Sequence, residues 1–231
     1  MKGLDALYAA FSRFPCPTRL TGCPCCVDDA CSRRLTRTPL RALEPEALGR
    51  YAFKAMSTWG TERDYAYFAP RILELSRDGH DAFPGLGVDV VVRKLREAGL
   101  ETWPADVRDA VDAFFAAWAD EVAGSWRALE LLEGASPQIS DPGAFVKRWA
   151  AAAGPVAVAD AMLRRWVGQG DFFDRDAPLG WRGTDVAGRA LVALFRDPAT
   201  HASLEGALAA TSSGEDAEVL AAALEALEPF R

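Results

Sequence analysis

Apolar residues recur three and four positions apart through most of this 231-residue chain, and stretches with the two-residue alternation of a strand are nearly absent. That period puts side chains on one face of a helix, so the pattern predicts an all-α protein. Punctuation divides it. A first helix over about 4–14 carries Leu4, Leu7, Tyr8 and Phe11 on one side and ends at Pro15. Pro45 suits the first turn of a second, whose Leu48, Tyr51, Ala52, Ala55 and Trp59 keep the period as far as Gly60. Thr61 with Asp64 three residues on is a short capping box for a third. Pro70 lies inside that helix and predicts a kink or two short pieces.

Val88, Val91, Val92 and Leu95 mark a further helix closed by Gly99. Pro104 opens a long one with Val107, Val111, Phe114, Trp118 and Val122 on its buried side, and a shorter piece follows around 126–132. Asp141-Pro142 and Asp197-Pro198 each place a capping acid before a first-turn proline. Helices are expected over about 142–153, 155–168, 184–196, 198–211 and 215–228. The pattern fits an irregular helical bundle or a short stack of helical hairpins resembling an α-solenoid, although no clean internal repeat is present. The expected parts are 1–42, a helix with a Cys-rich loop packed on the body; 43–133, a helical core; and 142–231, a C-terminal helical part continuous with that core. The seven tryptophans read as packing residues.

All five cysteines fall between Cys16 and Cys31, at positions 16, 23, 25, 26 and 31. Such crowding points to metal or thiol chemistry. Cys23 and Cys26 form a Cys-x-x-Cys step that lets two thiolates grip one ion from a tight turn. Structural zinc takes four ligands, and Cys16 and Cys31 would complete a tetrahedral set. Cys25 is then left over. Grouped with Cys23 and Cys26, it makes the thiolate-dense patch that Cu(I) prefers. Under a third reading it is the reactive thiol of a redox or metal-dependent enzyme. His80 is a minor substitute for Cys16 as a fourth zinc ligand. His80 and His201 otherwise carry no triad spacing that would mark them as acid–base groups. Asp171, Asp174 and Asp176 lack the glycine and distal glutamate of a calcium loop, and Gly85-Leu-Gly87 is too short for a dinucleotide fingerprint.

Charge bears on partners. The net charge of −7 argues against broad nucleic-acid binding, which phosphate neutralisation dominates. The N-terminal fifty residues nevertheless hold eight Lys/Arg against five acids. Arg33, Arg34, Arg37 and Arg41 follow the cysteines as a basic run, which a pinned loop would present to an acidic protein surface. The plainer account is a solvated helix face pairing with the nearby Glu44 and Glu46. No stretch approaches the roughly 20 apolar residues of a spanning helix. The first residues also lack the continuous apolar run of an export signal. The expected location is therefore the cytoplasm, where clustered thiols stay reduced.

Gly22-Cys-Pro-Cys-Cys26, Tyr51-Ala-Phe-Lys-Ala-Met-Ser-Thr-Trp-Gly60 and Tyr67-Phe-Ala-Pro-Arg-Ile-Leu-Glu-Leu75 together resemble a family of uncharacterised bacterial proteins with a Cys-Pro-Cys-Cys turn and a Trp-Gly-ended helix. Lys94-Leu-Arg-Glu-Ala-Gly99 and Trp103-Pro104 are also similar. The resemblance covers about the first half of the chain, carries no known activity, and implies that the cysteine turn and the helices after it form one unit. The functional expectation is a non-enzymatic, zinc-stabilised helical interaction or scaffold protein. A thiol-redox or metal-dependent enzyme and a Cu(I)-handling protein are the alternatives.

Overall fold

The computed structural model describes residues 3–23, 25–135, 138–139, 141–164 and 185–228. Among them are twelve α-helices and no strand, so the fold is all-α as the periodicity predicts. Contacts group the chain into two compact units, 1–118 and 119–231. No helix among the described residues is long and apolar enough to cross a membrane.

The first unit holds α1 (Leu4–Phe11), α2 (Asp29–Arg37), a 3₁₀ turn (Leu40–Ala42), α3 (Pro45–Lys54), α4 (Glu62–Arg77), α5 (Val88–Glu97) and most of α6 (Ala105–Val122). Helix α4 packs against α1, α3 and α5. Its stripe of Tyr65, Phe68, Ile72 and Leu75 is almost completely withdrawn from solvent. The Thr61–Asp64 capping box forms in full: the Thr61 hydroxyl accepts from the Asp64 amide while the Asp64 carboxylate accepts from the Thr61 amide. Helix α4 is one helix rather than two short ones. Proline costs it one backbone hydrogen bond, and buried neighbours on both sides of Pro70 hold the axis together.

Two boundaries near the cysteines differ most from the sequence expectation. Helix α2 arises inside what reads as an irregular loop. The Asp28 carboxylate accepts from the Cys31 amide at 2.7 Å and starts the helix there. Helix α3 stops at Lys54 instead of running to Gly60. Past that point the Lys54 carbonyl accepts the amides of Ser57, Thr58 and Trp59, and Met56 turns into the left-handed region at φ 64°. The result is a compact turn, not another helical turn. The 83–87 loop lies against α3 so closely that a Cβ on Gly85 would stand 2.0 Å from the Gly49 carbonyl oxygen, which only glycine permits.

The second unit holds α7 (Arg127–Ala135), α8 (Pro142–Ala153), α9 (Pro155–Met162), α10 (Asp185–Phe195), α11 (Pro198–Ala210) and α12 (Gly214–Leu227). Helix α9 packs on α8, α11 and α12, and α10 packs on α8 and α11. Both expected acid caps form: Asp141 accepts from the Ala144 amide and Asp197 from the Ala199 amide. Trp59, Trp118 and Trp149 are buried as expected of packing residues, but Trp126 is 67% exposed. Trp166, Trp181, Asp171, Asp174 and Asp176 lie outside the described residues.

Candidate metal and thiol site

The cysteine turn is built on the compact turn that ends α3. Two backbone bonds run between them like rungs of a short antiparallel ladder: the Cys23 amide donates to the Thr58 carbonyl at 2.9 Å, and the Gly60 amide donates to the Thr21 carbonyl at 2.7 Å. Lys54 at the end of α3 reaches the Cys26 carbonyl at 3.0 Å. Leu20 and Val27 bury their side chains on either side of the cysteines. Trp59, 2% exposed, lies edge-on to Tyr51 and donates its indole N–H to the buried Ser32 hydroxyl at 3.1 Å. That bond ties the α3 turn to α2. Lys94 supports the turn from α5: its buried ammonium donates to the Ala55 carbonyl at 2.7 Å and to Glu97 at 2.8 Å. The cysteine turn, α2, α3 and α5 lie within one compact unit, residues 1–118.

Within this frame the Cys26 amide donates to the Cys23 carbonyl at 2.9 Å and the Val27 amide to the same oxygen at 3.0 Å. That tight bend brings three sulfurs together. Cys23 Sγ and Cys25 Sγ are 2.8 Å apart, Cys25 Sγ and Cys26 Sγ are 3.4 Å apart, and all three lie within 4.8 Å of one another. An ion with ~2.3 Å metal–sulfur bonds sets its thiolates roughly 3.8 Å apart in a tetrahedron. The trio therefore needs only small side-chain rotations to hold one. Cys25 is exposed, and Cys23 and Cys26 are half-buried.

Cys16 and Cys31 do not join this group. The Cys16 thiol points to the Thr36 carbonyl at 3.5 Å and interacts with the Tyr67 hydroxyl. The Cys31 thiol donates to the Asp28 carboxylate at 3.1 Å, with the Arg50 guanidinium 3.6 Å away. Of the four thiols that zinc spacing selects, the structure brings Cys23 and Cys26 together and adds Cys25 to them. His80 sits in the turn after α4, with its ring centre 6.5 Å from that of Phe83, and belongs to no metal-ligating group among the described residues. His201 is buried, its Nε2–H donating to the Phe195 carbonyl at 2.9 Å, which is a structural role.

Cys23 and Cys25 are electrostatically unequal. Hydrogen bonds from the Cys25 thiol and amide hold Cys23 below the ordinary cysteine value of 9.0. Donating those bonds, chiefly to Cys23 and then to Cys26, pushes Cys25 up to about 11. Cys31 is also raised, first by its hydrogen bond to Asp28. A lowered value means that the thiolate forms at lower pH. In the metal-free, reduced protein, Cys23 should reach its half-maximal alkylation rate below pH 9 and Cys25 above it. Peptide-resolved iodoacetamide labelling across pH reads this directly, and coincident profiles for the two would contradict the geometry.

Of the basic run, Arg33, Arg34 and Arg37 stand exposed on α2 and form no ion pair among the described residues. Arg41 belongs elsewhere. It pairs with Asp5 at 2.8 Å, not with Glu44 or Glu46, and its guanidinium lies 3.8 Å above the centre of the Tyr8 ring. In the second unit, an open cleft of about 460 Å³ is lined by Trp126, Trp149 and Arg164, whose guanidinium is bound by Asp160.

Sequence reasoning left out the residues that position the thiols. Lys54 and Lys94 carry no pattern that separates them from solvated helix lysines. Trp59 and Gly60 read from the period as the last position of a helix and its stop, not as the turn that carries the cysteines. No family model, no curated protein and no solved structure matches this chain.

Proposed function

We propose that this chain is a metal-handling protein in which Cys23, Cys25 and Cys26 hold one soft ion at the surface of the helical body, with Cu(I) as its preferred guest. The observation that carries this reading is the convergence of three sulfurs within 4.8 Å on a turn already anchored by backbone pairing, Lys54 and buried Leu20 and Val27. A loop held this way has its own fixings and does not require metal as a substitute core. Thiolate-only coordination selects soft ions, and three thiolates suit Cu(I) without a further ligand. Zinc would need a fourth ligand from water or from a partner. An exposed ion with an open side can be handed on, and the unpaired α2 arginines offer an acidic protein partner a place to dock beside the site.

Titration of the reduced protein with Cu(I) and with Zn(II), each against a competing chelator, tests the proposal. The expected result is one Cu(I) per chain, bound in preference to zinc. Replacing Cys23, Cys25 or Cys26 by serine should each weaken binding by more than the ~10–100-fold that follows loss of a ligand's hydrogen-bond partner. Cys16→Ser and Cys31→Ser should bind like the parent. Equal losses at Cys16 or Cys31 would return the site to the four-cysteine zinc arrangement.

A further inference from the structure

The same three sulfurs have a geometry suited to a second chemistry. Cys23 Sγ and Cys25 Sγ, at 2.8 Å, stand closer than two unbonded sulfurs need to, and Cys25 is open to solvent. A covalent sulfur–sulfur bond of about 2.05 Å lies within reach of a small rotation. The turn holds them there without depending on either side chain, because its fixings are the Cys23 and Gly60 amides and the Cys26 carbonyl. Lys54 places a positive charge 3.0 Å from that carbonyl. The Cys16 and Cys31 thiols, turned to Thr36 and Asp28, are not placed to interfere.

We infer that Cys23 and Cys25 form a thiol–disulfide exchange couple acting on small organic disulfides. One thiolate of the pair attacks one sulfur of the disulfide. That S–S bond breaks, and the departing small thiolate takes the proton of the other thiol of the pair. The thiolate so formed attacks the protein sulfur of the mixed disulfide and expels the second small thiolate, which is protonated from solvent by the proton that the attacking thiol had released. In balance, one small disulfide is reduced to two thiols while Cys23 and Cys25 are oxidised to a disulfide. A small thiol in excess reverses the sequence. The inference concerns the thiols of the proposed metal site but does not rest on an ion. It has one consequence for that site: the oxidised pair offers no thiolates, so ion and disulfide exclude each other.

The test uses the full-length reduced protein in the presence of a chelator, treated with oxidised glutathione. Intact and peptide mass spectrometry follow the products, alongside a count of glutathione released. The expected product is an internal Cys23–Cys25 bond with two glutathiones released per chain. Cys25→Ser should stop at a Cys23–glutathione adduct with one released, while Cys16→Ser and Cys31→Ser should behave as the parent. Adducts confined to Cys16 or Cys31 would overturn the inference. So would a Cys25→Ser protein that still completes exchange through Cys26. Failure here is separable from failure of the metal reading. A chain that exchanges but binds no Cu(I) loses only the metal role, and one that binds Cu(I) but yields no internal bond loses only the exchange role.

Discussion

Replacing Trp59 by alanine is expected to lower stability by about 4 kcal/mol, in the range for emptying a large aromatic site. Trp59 is 2% exposed, lies edge-on to Tyr51, and is the side-chain link from the α3 turn to Ser32 in α2. Its removal leaves a cavity, strips the buried Ser32 hydroxyl of its donor, and loosens the segment that pairs with Thr21 and Cys23. The thiols should therefore become uniformly reactive in the variant, losing the difference between Cys23 and Cys25. Trp59→Phe separates the contributions. It keeps a ring against Tyr51 and loses the hydrogen bond, and should cost only about 1–2 kcal/mol. Chemical denaturation with thiol labelling measures both. A Trp59→Ala protein as stable as the parent would mean that the turn is held from elsewhere.

The second large effect is expected at Lys94. This lysine is 3% exposed and donates hydrogen bonds to the Ala55 carbonyl and to Glu97. Methionine at this position fills similar space but leaves the carbonyl without its donor and Glu97 with Arg93 as its one remaining ion-pair partner among the described residues. The expected loss is about 2–3 kcal/mol, most of it from the stranded carbonyl. The ion pair contributes less, since the Glu97 side chain is 41% exposed and screened by water. The pH dependence identifies that part. The hydrogen bond from Lys94, followed by that from Arg93, holds Glu97 below the ordinary value of 4.5. Its stabilisation is complete above 4.5 and is lost as pH falls through the lower folded value. The parent should show that acid-dependent loss and Lys94→Met should show a smaller one. Identical acid profiles would remove Lys94 from the account.

Legibility from sequence differed by kind of feature. Local backbone chemistry was readable: the Thr61–Asp64 box, the Asp141-Pro142 and Asp197-Pro198 caps and the glycine at Gly99 each act within a few residues, so spacing alone locates them. Asp28 is the same kind of signal, yet it was hidden because the cysteines around it suggested a loop. The α3 end at Lys54 was less accessible. Ala55 and Trp59 keep the helical period, but what ends the helix is pairing with Thr21 and Cys23 and support from Lys94, partners distant in sequence. The thiol group shows the same divide. Spacing selected Cys23 and Cys26, and the bend between them is local. Whether Cys25 or the more distant Cys16 and Cys31 completes the group depends on where α2 begins and on what Thr36 and Asp28 offer those two thiols. Spacing does not encode that.

X-ray absorption at the metal edge, on the Cu(I)-loaded protein and on its Cys16→Ser, Cys31→Ser double variant, counts the sulfurs that hold the ion on the Cys23–Cys26 turn. Three sulfur neighbours are expected in both proteins. Four sulfurs in the parent falling to two in the double variant would show that Cys16 and Cys31 bind the ion and would contradict it.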